Sequence, residues 1–254
     1  MSENGKNNDT KKTLKEFLTD KNTAELISSI DENTRNCVTE ISALCEILEL
    51  SSNEEERKYV KGILENCRRI MRQNEVIALL SEALNSENTC ITELSQLIEE
   101  LIEGIKETTG ISVIFTDKTE ADLWINGSKT TNLYLMLYVV RKLLRSAKNA
   151  EKLEITSEKA DNSTVKITLK LISESQQKEI KNNDEYFEKE LPQLLCEALN
   201  AEISEESDSS TVIAFETAEG DNKLKLSSNR IIIGRSIFSP YDVMLTEEEE
   251  ETDF

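Results

Sequence analysis

Two long stretches in the first third of the chain carry apolar residues at steps of three and four, which is the spacing of one face of an α-helix. The first face, from about Thr23, consists of Ile27, Ile30, Thr34, Cys37, Val38, Ile41, Leu44 and Leu48. The second consists of Val60, Ile63, Leu64, Cys67, Ile70, Met71, Ile77, Leu80 and Leu84. Between them, Ser51-Ser52-Asn53 ends one helix and offers a capping side chain for the next. The pattern predicts a hairpin of two helices, each about 40–45 Å long.

A hairpin of this length cannot bury its apolar stripe between only two helices. A second copy of the chain would complete a four-helix bundle, so a homodimer is expected, and the alternative is packing on the rest of the same chain. The residues predicted to form the dimer interface are Ile27, Ile30, Val38, Ile41, Leu44, Val60, Ile63, Cys67 and Ile70.

The remainder of the chain alternates between helical and strand patterns, which predicts an α+β fold. Helices are expected at 91–105, ended by Thr108-Thr109-Gly110, at 129–147 and around 191–199, the last opened by a polar stretch over 173–184. Strands are expected at 111–115, 123–125, 153–155, 165–171, near 203 and at 211–215, with a further strand at 230–234. The predicted domains are a flexible N-terminus (1–20), the hairpin (21–86), an α/β sandwich (87–219) and a segment with an extra strand and an acidic tail (220–254).

Charge and composition restrict the partners and the compartment that are expected for this chain. The net charge is −20, from 30 basic and 50 acidic residues without a basic cluster, so neither nucleic acid nor an anionic membrane is an expected partner. A protein partner with a basic surface fits better, although the charge alternatively serves only solubility. No stretch is apolar enough to span a membrane or to form a signal peptide. The five cysteines contain no CxxC pair, which favours reduced core residues in a cytoplasmic protein and no metal site.

The order of elements over residues 23–217 resembles the core of sensor histidine kinases, in which a dimerisation hairpin precedes a GHKL-type ATPase domain. That family carries a His-Glu-x-Arg-x-Pro-Leu box on its first helix. The matching segment here is Glu32-Asn33-Thr34-Arg35-Asn36-Cys37-Val38. Arg35 and Val38 fit, but Glu32 stands at the position of the phosphorylated histidine, and the chain contains no histidine. A carboxylate cannot replace the neutral imidazole as a phosphoryl acceptor of the usual kind.

The family's nucleotide motifs are also altered. Its Asn-Leu-Leu-x-Asn-Ala box matches residues 142–147, where Ser146 replaces the asparagine that would hold Mg²⁺. Its Asp-x-Gly-x-Gly box matches 173–177, with Ser173 for the adenine-reading aspartate and Gln177 for the second glycine. Its Gly-x-Gly-Leu box matches 191–194, where Pro192 lacks the N–H that a phosphate cradle uses.

The resemblance therefore implies a pseudokinase that needs no cofactor. The expected function is a non-catalytic scaffold or regulator of two-component signalling, binding a response-regulator-like or kinase partner. One alternative is a residual nucleotide-binding protein or ATPase with a rearranged site. Another is a structural dimer unrelated to signalling, because similarity of fold is a weak argument for function.

Overall fold

The predicted hairpin is present and has well-defined helix ends. In the computed structural model, which describes residues 15–85, 90–119, 123–176, 185–218 and 238–246, helix α1 spans Lys21–Ser51 and α2 spans Glu54–Asn85. Asp20 caps α1 by accepting from Thr23 N at 3.0 Å. Asn53 caps α2 by accepting from the backbone of Glu55 and Glu56, each at 3.0 Å, and Glu56 accepts from Asn53 N in return. These reciprocal bonds satisfy the first amides of α2 and confirm the predicted break.

The chain just before α1 is docked on the end of α2. Leu18 is 3% exposed, and its carbonyl accepts from Asn85 Nδ2 at 2.8 Å and from Ser81 Oγ at 3.3 Å. The predicted flexibility of residues 1–20 therefore does not apply to Leu18, because this apolar side chain has a place in the core. Residues 1–14 lie outside the described part of the chain.

An α/β sandwich follows the hairpin. Its helices are α3 (Leu94–Thr109), α4 (Lys129–Arg145), α5 (Glu185–Leu199) and the short α6 (Pro240–Leu245). Its strands are β1 (Ile91–Glu93), β2 (Ser112–Asp117), β3 (Trp124–Asn126), β4 (Ala147–Lys159), β5 (Thr164–Gln176), β6 (Ala201–Ser207) and β7 (Ser210–Glu216). The main sheet has the order β2-β4-β5-β7-β6, with β2 and β4 parallel and the other pairs antiparallel. β1 and β3 form a separate antiparallel pair.

One face of the sheet is covered by helices. Along β5, Val165, Ile167 and Leu169 are fully buried, whereas Lys166 and Lys170, at alternate positions, are exposed. This alternation places the apolar side chains against α4, of which most residues are buried. The same core continues into the hairpin through Val76, Leu79 and Leu80 of α2. No helix in the described ranges is both long and apolar enough to cross a membrane.

Three sequence predictions need correction. Ile91 was predicted to begin the third helix, but it lies in β1, and α3 begins at Leu94. A three-residue strand is too short for its period to be distinguished from the start of a helix. Residues 173–176 were predicted to open a helix but extend β5, because they pair with the first residues of β4. Helix α6 lies in a region for which only a strand and an acidic tail were predicted, and the proposed strand at 230–234 is outside the described residues, as is the acidic run after Thr246.

Candidate functional site

The position of the expected phosphoacceptor lies on an exposed face of α1. Glu32 is exposed to solvent, whereas its neighbour Asp31 is 5% exposed and points into the molecule. The change from exposed to buried between adjacent residues follows from the turn of about 100° per residue in an α-helix. Glu32 is therefore accessible to another protein, but Asp31 is not.

Asp31 belongs to a buried polar cluster that joins α1, α2 and α4. Arg35 Nε lies 3.1 Å from both carboxylate oxygens of Asp31, and Arg35 Nη1 lies 2.6 Å from Glu75 Oε1. Asn74 Nδ2 donates to Asp31 Oδ1 at 2.7 Å. The Tyr134 hydroxyl, from α4, donates to the other carboxylate oxygen of Glu75. The cluster thus connects the hairpin to the sandwich through hydrogen bonds to charged groups, which are stronger than neutral ones.

Burial governs the protonation of this cluster. Glu75 is only 2% exposed, and this burial raises its pKa to about 7, although the Arg35 guanidinium opposes the shift. Asp31 adds a smaller effect that raises the pKa of Glu75 further. Burial disfavours the charge on Arg35, but Glu75 and Asp31 outweigh this effect and raise the pKa of Arg35. Glu75 therefore titrates near neutral pH while Arg35 stays charged.

Ser146, at the end of α4, has its hydroxyl engaged within the fold. Ser146 Oγ lies 2.8 Å from the Leu143 carbonyl and 3.1 Å from the Asp208 carbonyl. Its backbone N–H also caps the helix, reaching the Lys142 and Leu143 carbonyls at 3.2 Å. The hydroxyl proton is used by main-chain acceptors, and a single neutral oxygen remains as a possible metal ligand.

Ser173 lies in a strand rather than in a glycine-rich loop. Its backbone pairs with Ala150, and the pairing of β5 with β4 continues to Gln176 opposite Ala147. Asn149 adopts a left-handed conformation with φ 53°, next to the irregular register between Ala150 and Lys152. Main-chain groups along this segment therefore bond to a neighbouring strand. Gln177 lies outside the described residues.

Pro192 lies inside α5 rather than at its beginning. The helix starts at Glu185, seven residues earlier, and Pro192 is buried within it. A proline in a helix interior removes one backbone hydrogen bond. The motif expected to open this helix as a phosphate cradle is thus replaced by regular helix.

Comparison with solved structures identifies the architecture. Full-length ShkA in complex with AMPPNP superposes with a TM-score of 0.53 at 11% identity, over 76% of this chain and 45% of ShkA. The chain has the fold of a histidine kinase core. The histidine kinase AdeS from Acinetobacter baumannii also matches, with a TM-score of 0.46 and 10% identity over 67% of this chain and 87% of AdeS. No protein-family model matches the sequence, and the search of curated proteins gives no significant match.

The likeness concerns the histidine kinase fold alone, and this chain spans less than half the length of ShkA. The residues that the sequence resemblance aligns with the family's nucleotide motifs offer few groups for Mg²⁺-ATP. Ser146 offers one hydroxyl oxygen whose proton is already donated, the backbone at Ser173 is paired in a strand, and Pro192 lies within a helix. A triphosphate requires several convergent N–H donors and a metal with well-placed oxygen ligands.

The hairpin residues predicted to form a dimer interface divide into two groups. Val38, Val60 and Cys67 are buried, the first and last of them in the core of the hairpin, and Ile27 is partly buried against the main core. The exposed group consists of Ile30, Ile41, Leu44, Ile63 and Ile70. On each helix this exposed stripe lies roughly a quarter turn from the face that packs against the other helix. The sandwich contacts α2 through a different set of residues, so it leaves the stripe uncovered.

Sequence reasoning missed two features of this region. The sequence indicated the polar cluster only through Arg35 in the family box and through Asn74, which interrupts the apolar stripe of the second helix. Its partners Glu75 and Tyr134 carry no motif, because they meet only when α4 packs on the hairpin. Helix α6 was signalled by Ser239-Pro240 followed by Asp242, which is a helix-start pattern, but it is only six residues long.

Proposed function

We propose that this chain is a non-catalytic scaffold or regulator of signalling built on the histidine kinase fold, in other words a pseudokinase. The observation that supports the proposal most is the internal use of the nucleotide positions. Ser146 donates to main-chain carbonyls, and Ser173 extends a strand. In addition, Glu32 takes the place of a phosphorylated histidine and cannot form a phosphoramidate.

The expected loss of nucleotide affinity is large. A buried hydrogen bond to a charged group contributes roughly 1.5–3 kcal/mol, so replacing the adenine-reading aspartate by serine weakens binding by about 10- to 100-fold. Loss of the metal-holding asparagine and of the lid glycines weakens it further. We therefore expect a dissociation constant for Mg-ATP no tighter than about 1 mM.

Calorimetric titration of the full chain with Mg-ATP and with Mg-ADP tests this. We expect no saturable heat below about 1 mM nucleotide. A micromolar constant for either nucleotide would contradict the proposal and favour the alternative, a residual nucleotide-binding protein or ATPase. Ser146→Ala would then tell whether binding uses this site, because only binding at the end of α4 should respond to the loss of this hydroxyl.

The exposed stripes of α1 and α2 support a homodimer. Leu26, Ile30, Ile41, Leu44 and Leu48 follow heptad-like spacing along α1, and all are at least 40% exposed. On α2, Tyr59, Ile63 and Ile70 do the same. Apolar stripes of this kind on both helices of a hairpin become buried when a second hairpin packs against them to form a four-helix bundle.

The charge of α1 and of the whole chain suggests the chemistry of the further partner. Glu32, Glu40, Glu46 and Glu49 of α1 are all exposed. Together with the net charge of −20, they favour a response-regulator-like or kinase domain with a basic surface, and they disfavour nucleic acid. The five cysteines are free thiols, which fits a reducing compartment such as the cytoplasm.

A further inference from the structure

The segment Phe238–Thr246, which contains α6, lies in a groove between α2, α3 and α4. Val243 and Met244 are no more than 1% exposed, and Leu245 and Phe238 are 4% and 6% exposed. Met244 and Leu245 belong to the main core, whereas Phe238 and Val243 pack with the core of the hairpin. A single short segment therefore contributes apolar side chains to both parts of the molecule.

Two arginines hold the C-terminal end of α6, and they come from different parts of the fold. Arg72 Nε of the hairpin helix α2 donates to the Val243 carbonyl at 2.9 Å. Arg141 Nη1 of the sandwich helix α4 donates to the Met244 carbonyl, also at 2.9 Å. Carbonyls in the last turn of a helix lack partners within that helix. Each arginine thus supplies a charge-assisted bond to a main-chain acceptor that would otherwise be buried without one.

The groove is also shaped for the aromatic side chains of the segment. The Tyr241 ring lies against Gly104 of α3 so closely that a Cβ on Gly104 would be 2.2 Å from Tyr241 Cζ. The Tyr241 hydroxyl donates to the Glu100 carbonyl at 2.8 Å. The Arg68 guanidinium lies over the Phe238 ring, 5.1 Å from its centre. The absence of a side chain at Gly104 is what admits the ring.

The helical form of the segment depends on docking. Its N-terminus is closed by a capping box, in which Ser239 Oγ accepts from Asp242 N at 3.1 Å and Asp242 Oδ2 accepts from Ser239 N at 3.0 Å. Nevertheless, an isolated helix of six residues is not stable in water, because nucleation is unfavourable. Protection of its amides from solvent exchange therefore reports that the segment is bound.

We propose that α2, α3 and α4 form a peptide-binding groove whose ligand is the chain's own segment Phe238–Thr246, and that this segment clasps the sandwich to the hairpin. Arg72 of the hairpin and Arg141 of the sandwich both bind this segment. Docking of the segment therefore also holds the hairpin and the sandwich against each other. Neither the histidine kinase fold nor the proposed signalling role requires such a clasp.

Hydrogen exchange on the full chain, read at single amides, tests the proposal. The informative amides are those of Val243, bonded to the Ser239 carbonyl at 3.0 Å, and Thr246, facing the Asp242 carbonyl at 3.4 Å. We expect Val243 N to exchange at least about tenfold more slowly than an unstructured amide, with a smaller effect at Thr246. Gly104→Ala should abolish most of this protection, because its methyl group occupies the place of the Tyr241 ring.

Gly62→Ala is the matched control. Gly62 also lies in a helix, but nothing is within 4 Å of a Cβ built there, so this variant only gains helix propensity. It should leave the exchange of α6 unchanged. In a Tyr241→Ala background, Gly104→Ala should have no further effect, since the ring that it displaces is gone.

The clasp itself is tested by the hydrogen exchange of the amides of α2 near Arg72 and of α4 near Arg141. Their exchange should accelerate in Gly104→Ala, whereas that of the distant β6–β7 hairpin should not. The proposed groove would be contradicted by unprotected α6 amides in the wild type, or by equal protection of these amides in Gly104→Ala and Gly62→Ala. Loss of α6 protection with unchanged exchange in α2 and α4 would overturn the clasp.

Discussion

The hairpin and the sandwich differ in how much of their apolar surface they bury within one chain. Ten large apolar side chains of α1 and α2 are exposed, whereas in the described parts of the sandwich only Ile114 and Trp124 are. The sandwich closes its core with α3 to α6 and with Val76, Leu79 and Leu80 at the end of α2, but α1 and the first half of α2 each have one face on the other helix and another on solvent. Exposed apolar surface of this extent marks a contact site. The sandwich buries its apolar surface within one chain, with the help of the end of α2, whereas the exposed hairpin stripes are the surface for which we propose a second hairpin as partner.

Ile41→Asp gives the largest expected effect on this comparison. In a dimer, the carboxylate would be buried in the bundle without a partner, and the dimer should lose several kcal/mol and dissociate. Sedimentation of the wild-type chain should give about twice the monomer mass of 28.8 kDa, and the variant should give the monomer mass. Ile63→Asp, on the other helix, should behave in the same way.

Ile114→Asp provides the matched control for the dimer. Ile114 has 45% exposure on β2 of the sandwich, similar to the 40% of Ile41, so the same substitution should leave the sedimentation unchanged. If the wild-type chain is a monomer at tens of micromolar, the exposed stripes do not dimerise. The difference between hairpin and sandwich would then need another explanation.

Glu75→Gln has an intermediate effect, at the point where the two regions meet. The native state holds the Glu75 proton to a pKa of about 7, whereas the unfolded chain releases it near 4.5. The native state therefore binds more protons between these values, and the contribution of Glu75 to stability falls as pH rises from about 4.5 to about 7. Relative to Glu75→Gln, the wild type should lose on the order of 1–3 kcal/mol of unfolding free energy over this window. Urea unfolding at pH 5, 6, 7 and 8 measures the difference.

Tyr134→Phe sharpens the same test. The Tyr134 hydroxyl donates to the Glu75 carboxylate, which favours the ionised form. Its removal should raise the upper end of the pH window of the Glu75 effect, measured against the double variant with Glu75→Gln, while the lower end, set by the unfolded chain, stays in place. A difference between wild type and Glu75→Gln that is constant with pH would show that Glu75 does not titrate near neutrality.

The long helices and strands could be predicted from the sequence because the apolar period of each is repeated several times along the element. The two hairpin helices, the alternating strand at 165–171 and the Gly110 helix end, with φ 71°, are confirmed. The short elements were missed, since three residues in β1 and six in α6 contain too little period to classify. The alignment of Ser146 with a nucleotide motif stays a prediction, and its bonding could not be predicted, because Ser146 meets the Asp208 carbonyl only through tertiary packing.

Removal of residues 247–254 gives the smallest expected effect and contrasts with the docked segment that precedes it. The cut leaves Thr246 N within reach of the Asp242 carbonyl, so the α6 bonds described above are preserved. It removes five glutamates and one aspartate from a chain that already carries a net charge of −20. Because self-repulsion destabilises a compact state, we expect the thermal midpoint to rise by at most about 1–2 °C at low ionic strength and not at all at high salt. A loss of several degrees in a differential scanning measurement would show instead that these residues contribute contacts to the fold.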